Sequence, residues 1–195
     1  MPKFIKWAQS KKHSQPIYDL APDSHKQKVG TPTMGGVIFV FSTLIAVILT
    51  AKLNNYYVIG AMISIFLFSL IGIKDDLSKI QESKNDAGLS AKMKLVMQFI
   101  ASGVVVCFLF CADHSTTLFV PFNKIAVFDM GYIAIIFWML VMVATSNAVN
   151  LTDGLDGLAT VPSIIGLLSL SLIVYVTGHA IISGYLLMPN IKLVG

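Results

Sequence analysis

Five long apolar stretches constrain the fold of this chain more than any other feature. Each is about 17–20 residues, which at 1.5 Å per residue lets a helix cross a hydrocarbon core of roughly 30 Å. Inside lipid, backbone polar groups have to be satisfied within the same helix. The pattern predicts an all-α fold, a polytopic integral membrane helix bundle with about five transmembrane helices. The predicted spans lie near residues 34–51, 56–73, 93–112, 131–149 and 161–177.

The composition agrees with a membrane protein and excludes two other classes. Only 12% of the residues are charged and 55% are hydrophobic, whereas about a quarter of a soluble domain is charged. All 14 cationic residues are lysines, and with 10 acidic residues the net charge is +4. Because no basic stripe with interleaved aromatic residues is present, we expect no nucleic-acid partner.

The distribution of lysines predicts the orientation. Six lysines lie in residues 1–33 and five in residues 74–94, whereas Lys52 is the only lysine between the first two spans and Lys124 the only one in residues 113–130. Cytoplasmic segments of membrane proteins are enriched in lysine. We therefore expect a cytoplasmic N-terminus, with residues 1–33 as a cytoplasmic segment.

Alternation of the spans extends this topology to the rest of the chain. Residues 34–195 form the predicted transmembrane domain, with cytoplasmic loops at 74–92 and 150–160. Residues 178–195 are expected to be an outer loop. Apolar and polar residues alternate on both sides of a turn within residues 114–130, which indicates a small external hairpin.

The first of three polar clusters precedes the first span. Thr33 is a suitable N-cap, and the free N–H groups of that helix end could hold an anion beside Lys28. Simple helix capping is the alternative interpretation.

The second cluster follows the second span and contains Asp75, Asp76 and Lys79. Acidic residues at the C-terminal end of a helix oppose its dipole, which favours a functional reason for them. Adjacent residues point about 100° apart on a helix, so we expect the two carboxylates to have different roles. Lys79 is within reach of either one, and a solvated loop with ion pairs is the alternative.

The third cluster follows the fourth span. If the helix continued, Asn150, Asp153 and Asp156 would recur every third residue and share one face. Ionisable groups at membrane depth usually face a site rather than lipid. A polar turn between two spans is the alternative.

Together the clusters predict a magnesium site where two phosphorylated substrates meet. Carboxylates without imidazole or thiol ligands suit a hard cation such as Mg²⁺, which accepts one or two carboxylates together with phosphate oxygens. Phosphoryl transfer needs mainly positioning and charge neutralisation. The membrane location implies that one substrate is a lipid. An ion-coupled transporter is a less favoured interpretation, because it predicts acidic residues near the bilayer midplane and an inverted repeat.

Three motifs resemble the phospho-N-acetylmuramoyl-pentapeptide-transferases, within the wider superfamily of polyprenyl-phosphate N-acetylhexosamine-1-phosphate transferases. They are Gly30-Thr31-Pro32-Thr33-Met34-Gly35-Gly36, the pair Asp75-Asp76, and residues 147–157. Polyprenyl-phosphate N-acetylglucosamine-1-phosphate transferases share the second motif and part of the third, and are the alternative.

The resemblance implies transfer of phospho-N-acetylmuramoyl-pentapeptide from UDP-N-acetylmuramoyl-pentapeptide to undecaprenyl phosphate. The reaction would use Mg²⁺, release UMP and yield lipid I for peptidoglycan, at the cytoplasmic face of the bacterial inner membrane. Either an aspartate forms a covalent intermediate or it helps the lipid phosphate to attack directly. The oligomeric state is left open, a homodimer included. By position, Asp75 and Asp76 would be catalytic, Asp153 would help to hold the metal, and the substrate-binding residues would be Lys28, Thr33, Lys79, Asn150, Asp153 and Asp156.

The resemblance covers about half of the family's length. The five spans correspond to the second to sixth of ten, and the family's main metal ligand would lie beyond residue 195. We therefore expect the 195-residue chain alone to be inactive, so that a noncatalytic fragment or scaffold is a third interpretation of this chain.

Overall fold

The computed structural model describes residues 35–82, 88–112, 114–118, 120, 127–153, 158–186, 188 and 190, without the side chains of residues 80–82. In these ranges the chain is almost entirely helical, with one short antiparallel hairpin. The elements in chain order are α1 (Gly35–Thr50), α2 (Tyr56–Glu82), α3 (Ala91–Cys111), β1 (Thr117–Leu118), β2 (Phe128–Asp129), α4 (Ile133–Thr152), α5 (Thr160–Gly178) and α6 (Ala180–Tyr185).

Helices α2, α3, α4 and α5 are long and apolar enough to cross a membrane, and α1 is a shorter apolar helix of 16 residues. Large apolar side chains are exposed on every one of them, for example Leu49, Ile100 and Leu168. Such surfaces are stable in lipid rather than in water. The predicted all-α membrane bundle is confirmed, while the cytoplasmic position of the N-terminus stays a prediction.

Helix α2 continues well beyond the predicted span end at residue 73. It runs to Glu82, so Asp75 and Asp76 lie inside the helix and not at its C-terminus. An ion pair between Lys79 and Asp75, one turn apart, supports this extension. The argument from the helix dipole was therefore wrong, because that effect is confined to the last turn.

The predicted hairpin is present and the predicted outer loop is not entirely a loop. Strands β1 and β2 pair antiparallel with Thr117 opposite Asp129. Within the segment expected to be irregular, α6 forms a helix of six residues. Its N-cap is His179, whose side chain accepts a hydrogen bond from the N–H of Ile182. Histidine is not among the usual capping residues, which is why the sequence pattern did not indicate this helix.

The chain divides into two compact units. The first comprises Met1–Thr50 and Ser64–Gln98, and the second Ala51–Ile63 and Phe99–Gly195. In the second unit α2 and α3 approach closely at Gly60, where an added Cβ would lie 3.0 Å from Leu109 Cδ2.

Candidate active site

Asp75 is buried and both of its carboxylate oxygens are hydrogen-bonded. Lys79 Nζ lies 2.8 Å from Oδ2, and the backbone N–H of Leu89 donates to Oδ1 over 2.8 Å. The residue is 8% exposed. Lys79 reaches it because residues four apart lie on the same helix face. A buried carboxylate with two charge-assisted hydrogen bonds is held in one orientation.

Gly88 allows the backbone to approach this ion pair. A Cβ at this position would lie 2.6 Å from Asp75 Oδ1 and 2.8 Å from Lys79 Cε. Only glycine therefore fits here without a displacement of the pair. Sequence reasoning missed Gly88 and Leu89, although a glycine shortly before α3 was the available signal.

Asp76 points away from Asp75 and lines a cavity of about 190 Å³ between α1 and α2. The predicted divergence of the two neighbours along the helix is observed. Within the described residues, no hydrogen bond reaches the partly buried Asp76 carboxylate, although the charges of Lys79 and Lys94 act on it. The other residues of the cavity wall are Gly36, Val37, Phe39, Val40, Ser69, Gly72 and Ile73.

The cavity brings Gly36, the last residue of the first motif, close to Asp76 of the second cluster. Gly36 stands three residues after Thr33 in the sequence and shares the cavity wall with Asp76. Both belong to the first compact unit. Lys28, Thr33 and Asp156 themselves lie outside the described residues.

The third cluster differs from its prediction. Helix α4 contains Asn150 but ends at Thr152, and Asp153 is the C-cap with φ −80° and ψ 37°. A continuous helical face through Asp153 is therefore wrong, because the backbone leaves the helical conformation at that residue. Both Asn150 and Asp153 are exposed. They belong to the second compact unit, whereas Asp75 and Asp76 belong to the first.

The donor set of the first unit suits a hard cation only in part. Among the described residues, no group of three or more His, Cys, Asp or Glu side chains could hold a metal ion. Each Asp75 oxygen already accepts one hydrogen bond, from Lys79 or from the Leu89 N–H, whereas the Asp76 carboxylate accepts none within the described residues and lines the cavity. One or two protein carboxylates are sufficient for Mg²⁺ when phosphate oxygens complete its shell. The residues present are thus compatible with this ion.

Comparison with known proteins identifies relatives along the whole chain. Phospho-N-acetylmuramoyl-pentapeptide-transferases of Aliarcobacter butzleri and Campylobacter lari are 60% and 56% identical to it over 195 residues. The enzyme of that name from Sulfurimonas denitrificans is 53% identical over 194 residues. The matches cover 99–100% of this chain and 55% of each relative, so the chain spans about half the length of the curated relatives it matches.

Two sequence profiles match in addition. Residues 28–40 match phospho-N-acetylmuramoyl-pentapeptide-transferase signature 1, which includes Lys28 and Thr33. Residues 58–194 match glycosyl transferase family 4. Together with the apolar helices of membrane-spanning length, these matches describe a multi-pass bacterial membrane protein, and the chain belongs to glycosyl transferase family 4.

Proposed function

We propose that the full-length protein transfers phospho-N-acetylmuramoyl-pentapeptide from UDP-N-acetylmuramoyl-pentapeptide to undecaprenyl phosphate, forming lipid I and UMP. The names of the relatives and the match of residues 28–40 to the family signature support this substrate pair. The reaction takes place at the cytoplasmic face of the bacterial inner membrane, where the nucleotide is available.

The different environments of Asp75 and Asp76 carry this proposal. Asp75 is held by Lys79 and by the backbone before α3. Asp76 faces a cavity whose wall is mainly apolar and is formed by α1 and α2. A lipid phosphate entering along these helices would meet Asp76 first, while the ion pair with Lys79 would hold Asp75 beside it in a fixed orientation.

Magnesium, when bound, would neutralise charge between the two polyanionic substrates and polarise the phosphoryl oxygens. Asp153, the residue that ends α4, is the carboxylate that we propose as a metal ligand. Lys28, Thr33, Lys79, Asn150, Asp153 and Asp156 would bind the nucleotide end of the donor, with the lysines contributing charge to its phosphates.

The proposal is tested with membranes that contain the complete protein and added undecaprenyl phosphate. We expect labelled UDP-N-acetylmuramoyl-pentapeptide to yield a lipid-linked product and UMP, and EDTA to stop the reaction until Mg²⁺ is restored. UDP-N-acetylglucosamine serves as the competing donor. Product from this sugar alone would replace the proposal by an N-acetylglucosamine-1-phosphate transferase.

The 195-residue chain, assayed in parallel, is expected to give no product. Mg²⁺-dependent lipid product from the purified chain alone would show that these residues suffice for the reaction.

A further inference from the structure

Gly88 lies so close to the Asp75–Lys79 pair that a side chain at this position would collide with it. The three atoms nearest to an added Cβ would be Asp75 Oδ1 at 2.6 Å, Lys79 Cε at 2.8 Å and Asp75 Cγ at 3.4 Å. All three belong to the pair. The two charged side chains therefore occupy the space that a Cβ would need.

Backbone freedom does not account for a glycine at this position. Among the described glycines, only Gly131 has a positive φ, of 50°. The backbone of Gly88 thus lies outside the left-handed region, where glycine is favoured over other residues. What distinguishes glycine here is its size, and the groups that use the space are those of Asp75 and Lys79.

The two hydrogen bonds of Asp75 differ in rigidity. Lys79 is 31% exposed, and its ammonium group is a compact charge on a flexible stem, so it can follow the carboxylate if that group turns. The N–H of Leu89 has a direction that the backbone fixes, and it donates to Oδ1 over 2.8 Å from a position 14 residues along the chain. The single orientation of the Asp75 carboxylate therefore depends on the backbone donor as well as on the ion pair.

We propose that Gly88 is a positioning residue for the reaction, which acts by allowing the Leu89 N–H to reach Asp75. This inference rests on the proposed function, in which Asp75 is one of the two active-site carboxylates. A carboxylate has about four acceptor positions, so one hydrogen bond to each oxygen leaves others free for a reacting group. A larger residue at position 88 would leave Asp75 in the site but turn its carboxylate.

The first test removes the backbone donor and nothing else. Cell-free translation of the complete protein inserts the α-hydroxy acid analogue of leucine at Leu89, which replaces the N–H by an ester oxygen. We expect kcat for lipid I synthesis to fall about 10-fold or more, as for the loss of one hydrogen bond to a charged group. The KM for the UDP-linked donor should change less than about 3-fold, because Asp75 is not proposed to bind the donor.

Two controls separate positioning from structure. Rates are divided by the number of donor molecules bound at saturation, so that unfolded protein does not contribute. The same α-hydroxy acid is inserted at Leu53, an exposed residue of the turn between α1 and α2. We expect the ester at Leu53 to leave kcat unchanged, and an equal fall at both positions would overturn the inference.

Gly88→Ala tests the glycine itself. Asp75 Oδ1 would have to move by about 0.8 Å to reach the 3.4 Å at which ordinary contacts begin. A misplacement of about 1 Å can cost roughly 100-fold in rate, so we expect turnover per bound donor to fall between about 10- and 100-fold. Gly60→Ala is the matched control, since its Cβ would also be crowded, at 3.0 Å from Leu109 Cδ2, but by an apolar side chain of the second unit. An equal fall in both variants would assign the effect to overpacking and refute the role of Gly88.

The remaining outcomes are distinct for the inference and for the proposed function. If the unaltered complete protein forms no lipid I, the proposed function fails and this inference fails with it. If it forms lipid I, unchanged turnover in either the Leu89 ester or Gly88→Ala, in a variant that binds the donor, overturns the inference alone. Loss of donor binding in both variants would assign the Leu89 hydrogen bond to structure and would also overturn the inference.

Discussion

The surroundings of Asp75 and of Trp138 show two ways of burying a polar group. Asp75 receives two hydrogen bonds from its own chain, from Lys79 and from the Leu89 backbone. The indole N–H of Trp138 donates to no acceptor within the described residues. A buried polar group without a partner costs about 1–3 kcal/mol. The hydrogen bonds of Asp75 are complete within the chain, whereas the Trp138 N–H has no acceptor among the described residues.

Asp76 resembles Trp138 in this respect more than it resembles its neighbour. Its carboxylate faces a cavity, and no hydrogen bond to it is present within the described ranges. The contrast therefore separates a carboxylate that the chain holds in place from one that faces a cavity, although the two are adjacent in the sequence. The following predictions test this separation in order of expected effect.

Asp76→Asn should have the largest effect of these substitutions. It should lower the rate of lipid I synthesis and leave the stability of the protein nearly unchanged. The substitution keeps the size of the side chain and removes the charge proposed to act on the reacting phosphate. We expect lipid I synthesis by the complete protein to fall at least about 100-fold, as for the loss of one preorganised electrostatic group. The thermal unfolding midpoint should change little, because no hydrogen bond within the described residues is lost. A rate close to that of the unaltered protein would contradict the role of Asp76.

Lys79→Met should lower stability. It leaves the buried Asp75 carboxylate with the Leu89 N–H as its remaining donor. Loss of one partner of a fully buried pair costs about 3–5 kcal/mol, and we expect about 2 kcal/mol here because solvent can reach the site. Lys79 is indeed 31% exposed. Thermal unfolding in detergent measures the difference.

Lys74→Met is the matched control for Lys79→Met. Lys74 is an exposed lysine of the same helix, so its replacement should shift the free energy of unfolding by no more than about 0.5 kcal/mol. Equal effects of the two substitutions would show that the Asp75–Lys79 pair contributes nothing specific.

Gly88→Ala should destabilise the protein by about 1–2 kcal/mol, as overpacking does. The added methyl group would collide with Asp75 Oδ1 and with Lys79 Cε, at 2.6 and 2.8 Å. Gly166→Ala is the control, since no atom lies within 4 Å of an added Cβ in the middle of α5. We expect this control to stabilise by about 0.5–1 kcal/mol. A lower unfolding midpoint for Gly88→Ala together with a higher one for Gly166→Ala supports the close approach at Gly88. Midpoints that shift in the same direction in both variants would refute it.

The pH dependence of stability should reveal the burial of His114. Its pKa is lowered from 6.5 by desolvation, so the unfolded state binds more protons than the folded state below that pH. The contribution of neutral His114 is therefore complete above pH 6.5 and is lost as the pH falls through the lowered value. We expect the difference in unfolding free energy between the unaltered protein and His114→Gln to shrink between pH 7 and 5. A constant difference would contradict this burial.

Much of the fold could be predicted because lipid imposes simple rules. A helix must be about 20 apolar residues long to cross the bilayer, and this requirement indicated the four long apolar helices, whereas α1 has only 16 residues in the described part of the chain. The extension of α2 to Glu82 was not indicated, because hydropathy reports where lipid ends and not where the helix ends. The span predicted to end near residue 149 does end close by, at Thr152. The interpretation of Asn150, Asp153 and Asp156 as one helical face fails because regular spacing of polar residues does not require a continuous helix.

The site could be predicted in its residue types but not in its contacts. The pair Asp75–Asp76 was evident, and so was the divergence of the two side chains. Lys79 could reach either carboxylate by spacing, and only tertiary structure shows that it pairs with Asp75. Gly88 and Leu89 lie just before α3 and contact Asp75 on α2. No local sequence pattern encodes this contact, because it depends on how the chain returns to α2.

The most direct test of the central claim, that Asp76 faces the reacting lipid, is photo-crosslinking of the complete protein. The probe is a polyprenyl phosphate with a diazirine next to the phosphate, competed by undecaprenyl phosphate. We expect competed labels in residues 35–40 of α1 and 69–76 of α2, which line the cavity at Asp76. Competed labels confined to other helices would contradict the claim.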